Sequence, residues 1–86
     1  MTFTQETLKC YVLTYVSIEE SYVEQMWRDL KKRGVNIATE TLSNVRDELA
    51  AEGMISIRRD ARNDASCLLC SITPAGKRYL KAFLNR

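Results

Sequence analysis

The chain has 86 residues, of which 45% are hydrophobic and 28% charged, with only three glycines and one proline. This composition is typical of one small globular domain and excludes a disordered or low-complexity segment. The most apolar stretches, residues 8–16 and 67–72, are too short to span a bilayer, and the N-terminus lacks the features of a signal peptide. We therefore expect a single cytoplasmic domain over residues 1–86.

Charge is distributed unevenly along the chain, although the net charge is only +2. Residues 1–52 carry six Lys or Arg and nine Asp or Glu, whereas residues 53–86 carry seven and two. The basic C-terminal part suggests an acidic partner such as a nucleic acid. An ordinary solvated surface would give the same count, so the charge distribution alone does not establish an acidic partner.

The first periodic segment, residues 5–16, is predicted to be a helix that buries more than one side. Apolar side chains recur at helical spacing in Leu8, Tyr11, Val12 and Tyr15. Further apolar residues widen that stripe; they are Cys10, Leu13 and Val16.

A second helix is predicted to follow Ser21, which would be its N-cap, with Glu24 completing a capping box. The basic run Lys31-Lys32-Arg33 suits the C-terminal end of its dipole, and Gly34 ends it. Its apolar face consists of Tyr22, Val23, Met26, Trp27 and Leu30.

The third helix is predicted to begin at Thr39 as N-cap and to end at Gly53. Leu42, Val45 and Leu49 share one side of it and are expected to face the core.

Two strands and a fourth helix complete the pattern. Residues 54–62 and 67–72 have strand character and are separated by the turn-forming residues 63–66. Thr73 and Pro74 are an N-cap and a first helical residue, and the helix after them turns Leu80, Phe83 and Leu84 inward. The order of three helices, a hairpin and a helix predicts a winged helix-turn-helix, mainly α with a small β-hairpin wing.

Three short motifs strengthen this prediction: Thr41-Leu42 in the third helix, residues 52–55 (EGMI), and residues 73–77 (TPAGK) after the hairpin. Over residues 8–84 the chain resembles bacterial winged-helix transcriptional regulators, PadR-like proteins above all, with MarR and GntR proteins as the wider group. It departs from their usual pattern at Ala38, where a capping serine is common, and at Arg46, where an inner leucine is common. The resemblance implies a small transcriptional regulator that binds double-stranded DNA.

The side of the third helix opposite its core face would enter the major groove. Asn44 can pair with adenine, and Ser43 can reach a base or a phosphate. Glu40 and Asp47 lie on the same side and repel phosphate, so the alternative is a solvated acidic face that never meets DNA. The candidate DNA-binding residues are Lys31, Lys32, Arg33, Thr39, Thr41, Ser43, Asn44, Arg46, Arg58, Arg59, Arg62 and Asn63.

The wing contributes Arg58, Arg59 and Arg62, which could straddle a phosphate backbone or enter the minor groove. The alternative is an edge hairpin whose charge prevents edge pairing. The acidic outer side of the third helix favours the rival function, a winged helix for protein–protein contact such as a viral or plasmid adaptor or antirepressor. A positive surface continuous across the third helix and the wing would favour DNA.

Metal binding and catalysis are not indicated. Cys67 and Cys70 lie three apart on a strand, so their thiols point to opposite faces, and the chain has no histidine. We expect Cys70 in the core, no metal and no cofactor. The chain also has no Ser/His/Asp set and no glycine-rich phosphate loop, so we do not expect an enzyme.

A homodimer is expected because the first helix is apolar over a wide arc and the fourth ends in an apolar pair. A two-fold dimer would bind an inverted repeat with half-sites ~34 Å apart. The alternative is that these two helices simply pack on each other in one core. The predicted interface residues are Leu8, Tyr11, Val12, Tyr15, Phe83 and Leu84.

Overall fold

The computed structural model describes residues 4–59 and 68–85. It contains α1 (Gln5–Ile18), α2 (Val23–Lys32), α3 (Thr39–Ala51), β1 (Ile55–Arg59), β2 (Leu68–Ile72) and α4 (Pro74–Leu84). The predicted fold class, four helices with one antiparallel hairpin, is confirmed. Within the described ranges, no helix combines the length and apolar character that crossing a membrane requires.

Helix α1 forms the centre of the molecule and packs against α3, α4 and β2. Its apolar arc is wide because it has three neighbours within one chain. Leu8 and Val12 are fully covered by those neighbours, so their prediction as dimer-interface residues is wrong. The buried residues of α1 are Leu8, Cys10, Val12, Leu13 and Val16.

Helices α2 and α3 form the helix-turn-helix pair. The predicted inner face of α3 is confirmed, because Leu42, Val45 and Leu49 are all buried. Gly34 adopts a φ of 83°, a left-handed conformation that lets the chain leave α2 and turn toward α3. The indole N–H of Trp27 donates to the carbonyl of Ile37 at 2.7 Å, which fastens this turn to α2.

The predicted capping role of Ser21 is wrong. Helix α2 begins at Val23 with Tyr22 as N-cap, and the side chain of Gln25 accepts a hydrogen bond from the Tyr22 backbone N–H at 3.1 Å. Ser21 is buried and exchanges backbone hydrogen bonds with Cys70, at 3.1 and 2.9 Å. Pairing with the free edge of β2 satisfies backbone groups that burial would otherwise leave unpaired, so it takes precedence over capping.

The N-cap of α3 is Ala38, and Thr39 is the first residue of the helix rather than its cap. Alanine has no side-chain acceptor, so no side chain caps this end of α3. The predicted cap of α4 is confirmed, because Thr73 accepts from the Gly76 N–H at 3.1 Å and Pro74 follows it.

The hairpin is antiparallel, with Ile55 opposite Ile72 and Ile57 opposite Cys70. Cys70 is fully buried, which confirms its prediction as a core residue. Burial raises the pKa of its thiol to about 11, so the thiol remains protonated and inert at neutral pH.

Gly76 allows α4 to pack closely on the start of the hairpin. A Cβ atom at this position would lie 2.1 Å from the carbonyl oxygen of Met54 and 2.9 Å from Ile72 Cγ1. Since the Met54 oxygen belongs to the backbone, it cannot move aside cheaply.

We expect Gly76→Ala to lower the free energy of unfolding by roughly 2 kcal/mol or more, as overpacked sites do. Urea denaturation would measure the change. Helix propensity alone predicts a change of the opposite sign, an increase of about 1 kcal/mol in the free energy of unfolding. A more stable Gly76→Ala protein would therefore contradict this account of the α4 packing.

We expect Ala38→Ser to raise the free energy of unfolding by about 0.5 to 1 kcal/mol, because a serine hydroxyl can accept from the free N–H groups of the first turn. Thr73→Ala, which removes a cap of the same kind, should lower it by about 1 kcal/mol. The same denaturation experiment measures both, and no gain from Ala38→Ser would show that α3 begins elsewhere.

Candidate nucleic-acid interface

Helix α3 buries one side against α1, α2 and β1 and leaves the other side exposed. Thr39, Glu40, Thr41, Asn44 and Asp47 are exposed, and Ser43 is half-buried. The exposed side therefore carries hydroxyl and amide groups that can hydrogen-bond to base edges or phosphates, together with two carboxylates.

Arg46 compensates one of those carboxylates. Its Nε lies 2.9 Å from Asp47 Oδ1, and its side chain is only 15% exposed. Arg46, a predicted DNA-binding residue, is therefore mostly covered and engaged by Asp47, which does not favour a direct contact with DNA. Position 46 follows Leu42 by four residues and precedes Leu49 by three, so it borders the buried side of α3.

Lys9 of α1 compensates two more carboxylates, Glu48 on α3 and Glu52 just after it. Its Nζ lies 3.1 Å from Glu48 Oε1 and 3.0 Å from Glu52 Oε1. Hydrogen bonds to Glu52 and then Glu48 raise the pKa of Lys9, so the ammonium stays charged. The amide of Gln5 donates to the second oxygen of Glu48. Sequence analysis missed this cluster because its members lie 43 residues apart and follow no local pattern.

The basic end of α2 is partly occupied. Lys31 lies over the Trp27 ring, 4.8 Å from its centroid, in a cation–π contact. Arg33 pairs with Asp29 at 3.0 Å. Lys32 is exposed and forms no ion pair within the described ranges.

Asp29 is also held from α1, because the hydroxyl of Tyr11 donates to Asp29 Oδ2 at 2.6 Å. This hydrogen bond, with a smaller contribution from Arg33, lowers the pKa of Asp29. Burial, and then the Asp29 carboxylate, raise the pKa of Tyr11.

The hairpin presents one engaged and one available arginine. Arg58 pairs with Glu20 at 2.9 Å, and both side chains are largely exposed. Arg59 is exposed at the end of β1 and has no ion-pair partner among the residues that the structure describes. Arg62, Asn63 and Cys67, three residues singled out in the sequence, lie outside the described residues.

Two clefts border these elements. One, of about 320 Å³, separates α1 from the exposed side of α3 and is lined by Gln5, Leu8, Thr41, Asn44 and Val45. The other, of about 300 Å³, lies at the end of α1 and is lined by Tyr15, Ile18, Glu19, Glu20, Ser21 and Gln25. Residues 4–59 and 68–85 contain no group of three or more side chains suited to hold a metal ion.

Comparison with known proteins gives a structural likeness without a sequence match. No family model matches the chain, and no curated protein matches it. A PadR-like transcription factor from Bacteroides fragilis is 14% identical with a TM-score of 0.83, and the match covers 94% of this chain and 80% of that one. A transcriptional regulator from Clostridium thermocellum is 18% identical with a TM-score of 0.82, at 94% and 80% coverage.

A third similar structure is PadR of Bacillus subtilis, solved in complex with operator DNA. It is 19% identical with a TM-score of 0.81, and the match covers 92% of this chain but 47% of that one. This chain therefore spans about half the length of the Bacillus subtilis protein. At such identities the likeness concerns the fold alone, and the chain has the winged-helix fold of the PadR-like structures that it matches.

Proposed function

We propose that the chain is a small transcriptional regulator that binds duplex DNA, with α3 in the major groove and the hairpin on the flanking backbone. The observation that carries this proposal is the exposed side of α3. It offers Thr41 and Asn44 for hydrogen bonding, while Lys9 and Arg46 compensate the nearby carboxylates. Two cations thereby offset two of the four carboxylates on or beside α3, which reduces the main objection raised by the sequence, an acidic recognition helix.

The available polar and basic groups suit different parts of a duplex. Asn44 has the amide that pairs with adenine, and Thr39, Thr41 and Ser43 have hydroxyls for bases or phosphates. Lys32 and Arg59 would contact phosphates on either side of α3. The Bacillus subtilis structural relative was solved in complex with operator DNA, which supports duplex DNA as the partner.

The start of α3 supports the same role. Since Ala38 supplies no side-chain cap, backbone N–H groups of the first turn remain available to a phosphate oxygen. A capping serine, as in many similar regulators, would compete with the phosphate for these donors.

We expect Arg59→Ala to weaken binding to duplex DNA and to reduce the slope of log K against log salt by about 1, because one phosphate contact is lost. Fluorescence anisotropy with random and genomic duplexes between ~50 and ~300 mM salt would measure both quantities. Arg78→Ala is the matched control, since Arg78 is an exposed arginine on α4, away from the proposed surface.

The melting temperatures of both variants should match that of the unmodified protein. A loss of binding can then not be attributed to a loss of folded structure. If the unmodified protein binds no duplex at ~50 mM salt, a condition generous to non-specific contacts, the proposed function is wrong.

A second candidate function is a protein-interaction module, and one observation favours it. Ile18 is 82% exposed at the end of α1, beside the cleft lined by Tyr15, Glu19 and Gln25. An exposed isoleucine next to a concave surface is a typical place for a protein contact. Failure to bind DNA, together with retained folding, would favour this alternative.

We further infer a homodimer whose interface is smaller than the one predicted from the sequence. Leu8 and Val12 belong to the core, so the remaining candidates are Tyr11, Tyr15, Phe83 and Leu84. Leu84 is 67% exposed at the end of α4, and Phe83 is half-buried against the core. Since α4 packs on α1, one partner surface can include both helices.

We expect Leu84→Glu to shift the protein toward a monomer, because a carboxylate in an apolar contact must be desolvated without a partner. Light scattering at micromolar concentration would give the mass. Asn85→Glu introduces the same charge at a neighbouring polar position and should leave the mass unchanged. A monomer mass for the unmodified protein would rule out the dimer at that concentration.

A further inference from the structure

Every fourth residue of α3 falls on one row of its surface, because residues four apart lie one above the other on a helix. Beginning at Glu40, the row continues with Asn44 and Glu48 and ends at Glu52, the C-cap, which still has helical backbone angles. The amide proposed to read a base therefore stands in a row whose other members are all carboxylates.

Lys9 is placed to bridge the two carboxylates that follow Asn44 and to offset one of their two charges. Its ammonium lies between Glu48 and Glu52, within 3.1 Å of an oxygen of each. The Lys9 side chain is 15% exposed, whereas the two glutamates keep 42% and 41% of their side chains exposed, so solvent still reaches the acidic side of the cluster.

Gln5 strengthens the hold on Glu48. It lies one helical turn before Lys9 on α1, and its amide donates to Glu48 Oε2 while Lys9 contacts Oε1. Both oxygens of Glu48 are therefore engaged by α1, which holds this carboxylate on the α1 side of α3 although 42% of its side chain stays exposed.

The partial compensation matters most for Glu48. At 1.5 Å per residue, Glu48 and Glu52 lie about 6 and 12 Å along the axis from Asn44. The Debye length is about 8 Å at physiological salt, so Glu48 would repel phosphates flanking a base contacted by Asn44, whereas Glu52 would be largely screened and would act mainly at low salt.

We propose that Lys9, which would not itself touch DNA, is a positioning residue for DNA binding: it offsets one of the two negative charges of Glu48 and Glu52 and holds both carboxylates toward α1, which makes the acidic α3 more compatible with a phosphate backbone. The inference rests on the proposed function and adds to it an electrostatic role for a residue of α1. With Lys9 counted, the row that contains Asn44 carries a net charge of −2 rather than the −3 of Glu40, Glu48 and Glu52 alone.

The test compares duplex binding by Lys9→Met, Lys9→Arg and the unmodified protein in fluorescence anisotropy. Lys9→Met keeps the length and apolar stem of the side chain and removes its charge. We expect it to weaken binding roughly three- to tenfold at ~50 mM salt, as an added nearby negative charge does at intermediate dielectric. The difference should shrink below about twofold at ~300 mM, where screening is stronger. Lys9→Arg should bind like the unmodified protein.

Lys81→Met is the matched control, because it makes the same change in net charge at an exposed lysine of α4. It should weaken binding less than twofold. An equal effect of Lys81→Met and Lys9→Met would show that only net charge matters and would overturn the proposal.

Rescue separates an electrostatic role from a structural one. Relative to Lys9→Met alone, the combination of Lys9→Met with Glu48→Gln and Glu52→Gln should restore binding, because the two carboxylates that Lys9 contacts are then absent. Glu48→Gln with Glu52→Gln alone should bind more tightly than the unmodified protein, which keeps the proposal testable if Lys9→Met does not fold.

A lower melting temperature for Lys9→Met with unchanged affinity of the folded protein would overturn the inference and leave the proposed function intact. Absence of binding by the unmodified protein would instead refute the proposed function, and the inference with it. The two failures are therefore distinguishable.

Discussion

The burial of α1 is the constraint on which the rest of the structure depends. Helix α1 contacts α3, α4 and β2 and contributes five buried residues to the core. Val12 and Leu13 are completely buried in it, and burial of such side chains contributes roughly 1.5 to 3 kcal/mol each. The polar residues at the margin of its apolar arc contact the neighbouring helices: Gln5 and Lys9 contact Glu48 of α3, and Tyr11 contacts Asp29 of α2.

Local patterns in the sequence were sufficient for the existence of the four helices and for most of their inner faces. The prediction that Leu84 faces inward is wrong, because its side chain is 67% exposed at the end of α4, whereas Leu80 is buried. The spacing of Leu42, Val45 and Leu49 marked the buried side of α3, and Thr73-Pro74 marked the start of α4. Both signals depend on neighbouring residues only, so tertiary context did not overrule them. The error at Ser21 has the opposite origin, because its backbone pairs with Cys70, a distant residue whose edge needed a partner.

The candidate site was less predictable than the fold because it, like the pairing of Ser21, depends on residues that are distant in the sequence. Exposure of Asn44 and Thr41 follows from helical periodicity, but compensation of charge depends on which distant side chains approach. Lys9 lies 43 residues from Glu52, and Arg46 is covered because of its place between two core leucines. The proposed wing tip, Arg62 and Asn63, lies outside the described residues and stays a prediction.

The ion pairs near α3 fall into two kinds, and the difference bears on how such a surface could bind an anion. The side chains of Lys9 and Arg46 are each only 15% exposed, although their carboxylate partners remain more open, and these two cations offset part of the charge of α3. Arg33 and Arg58 are largely exposed, and pairs of that kind contribute little to stability.

An exposed arginine can therefore exchange its carboxylate for a phosphate at small cost. After such an exchange Asp29 would keep the hydrogen bond from Tyr11, and Glu20 would return to solvent. In the proposed complex with DNA, the pairs of Lys9 and Arg46 would offset part of the charge of α3, and Arg33 and Arg58 would be able to exchange their carboxylates for phosphates.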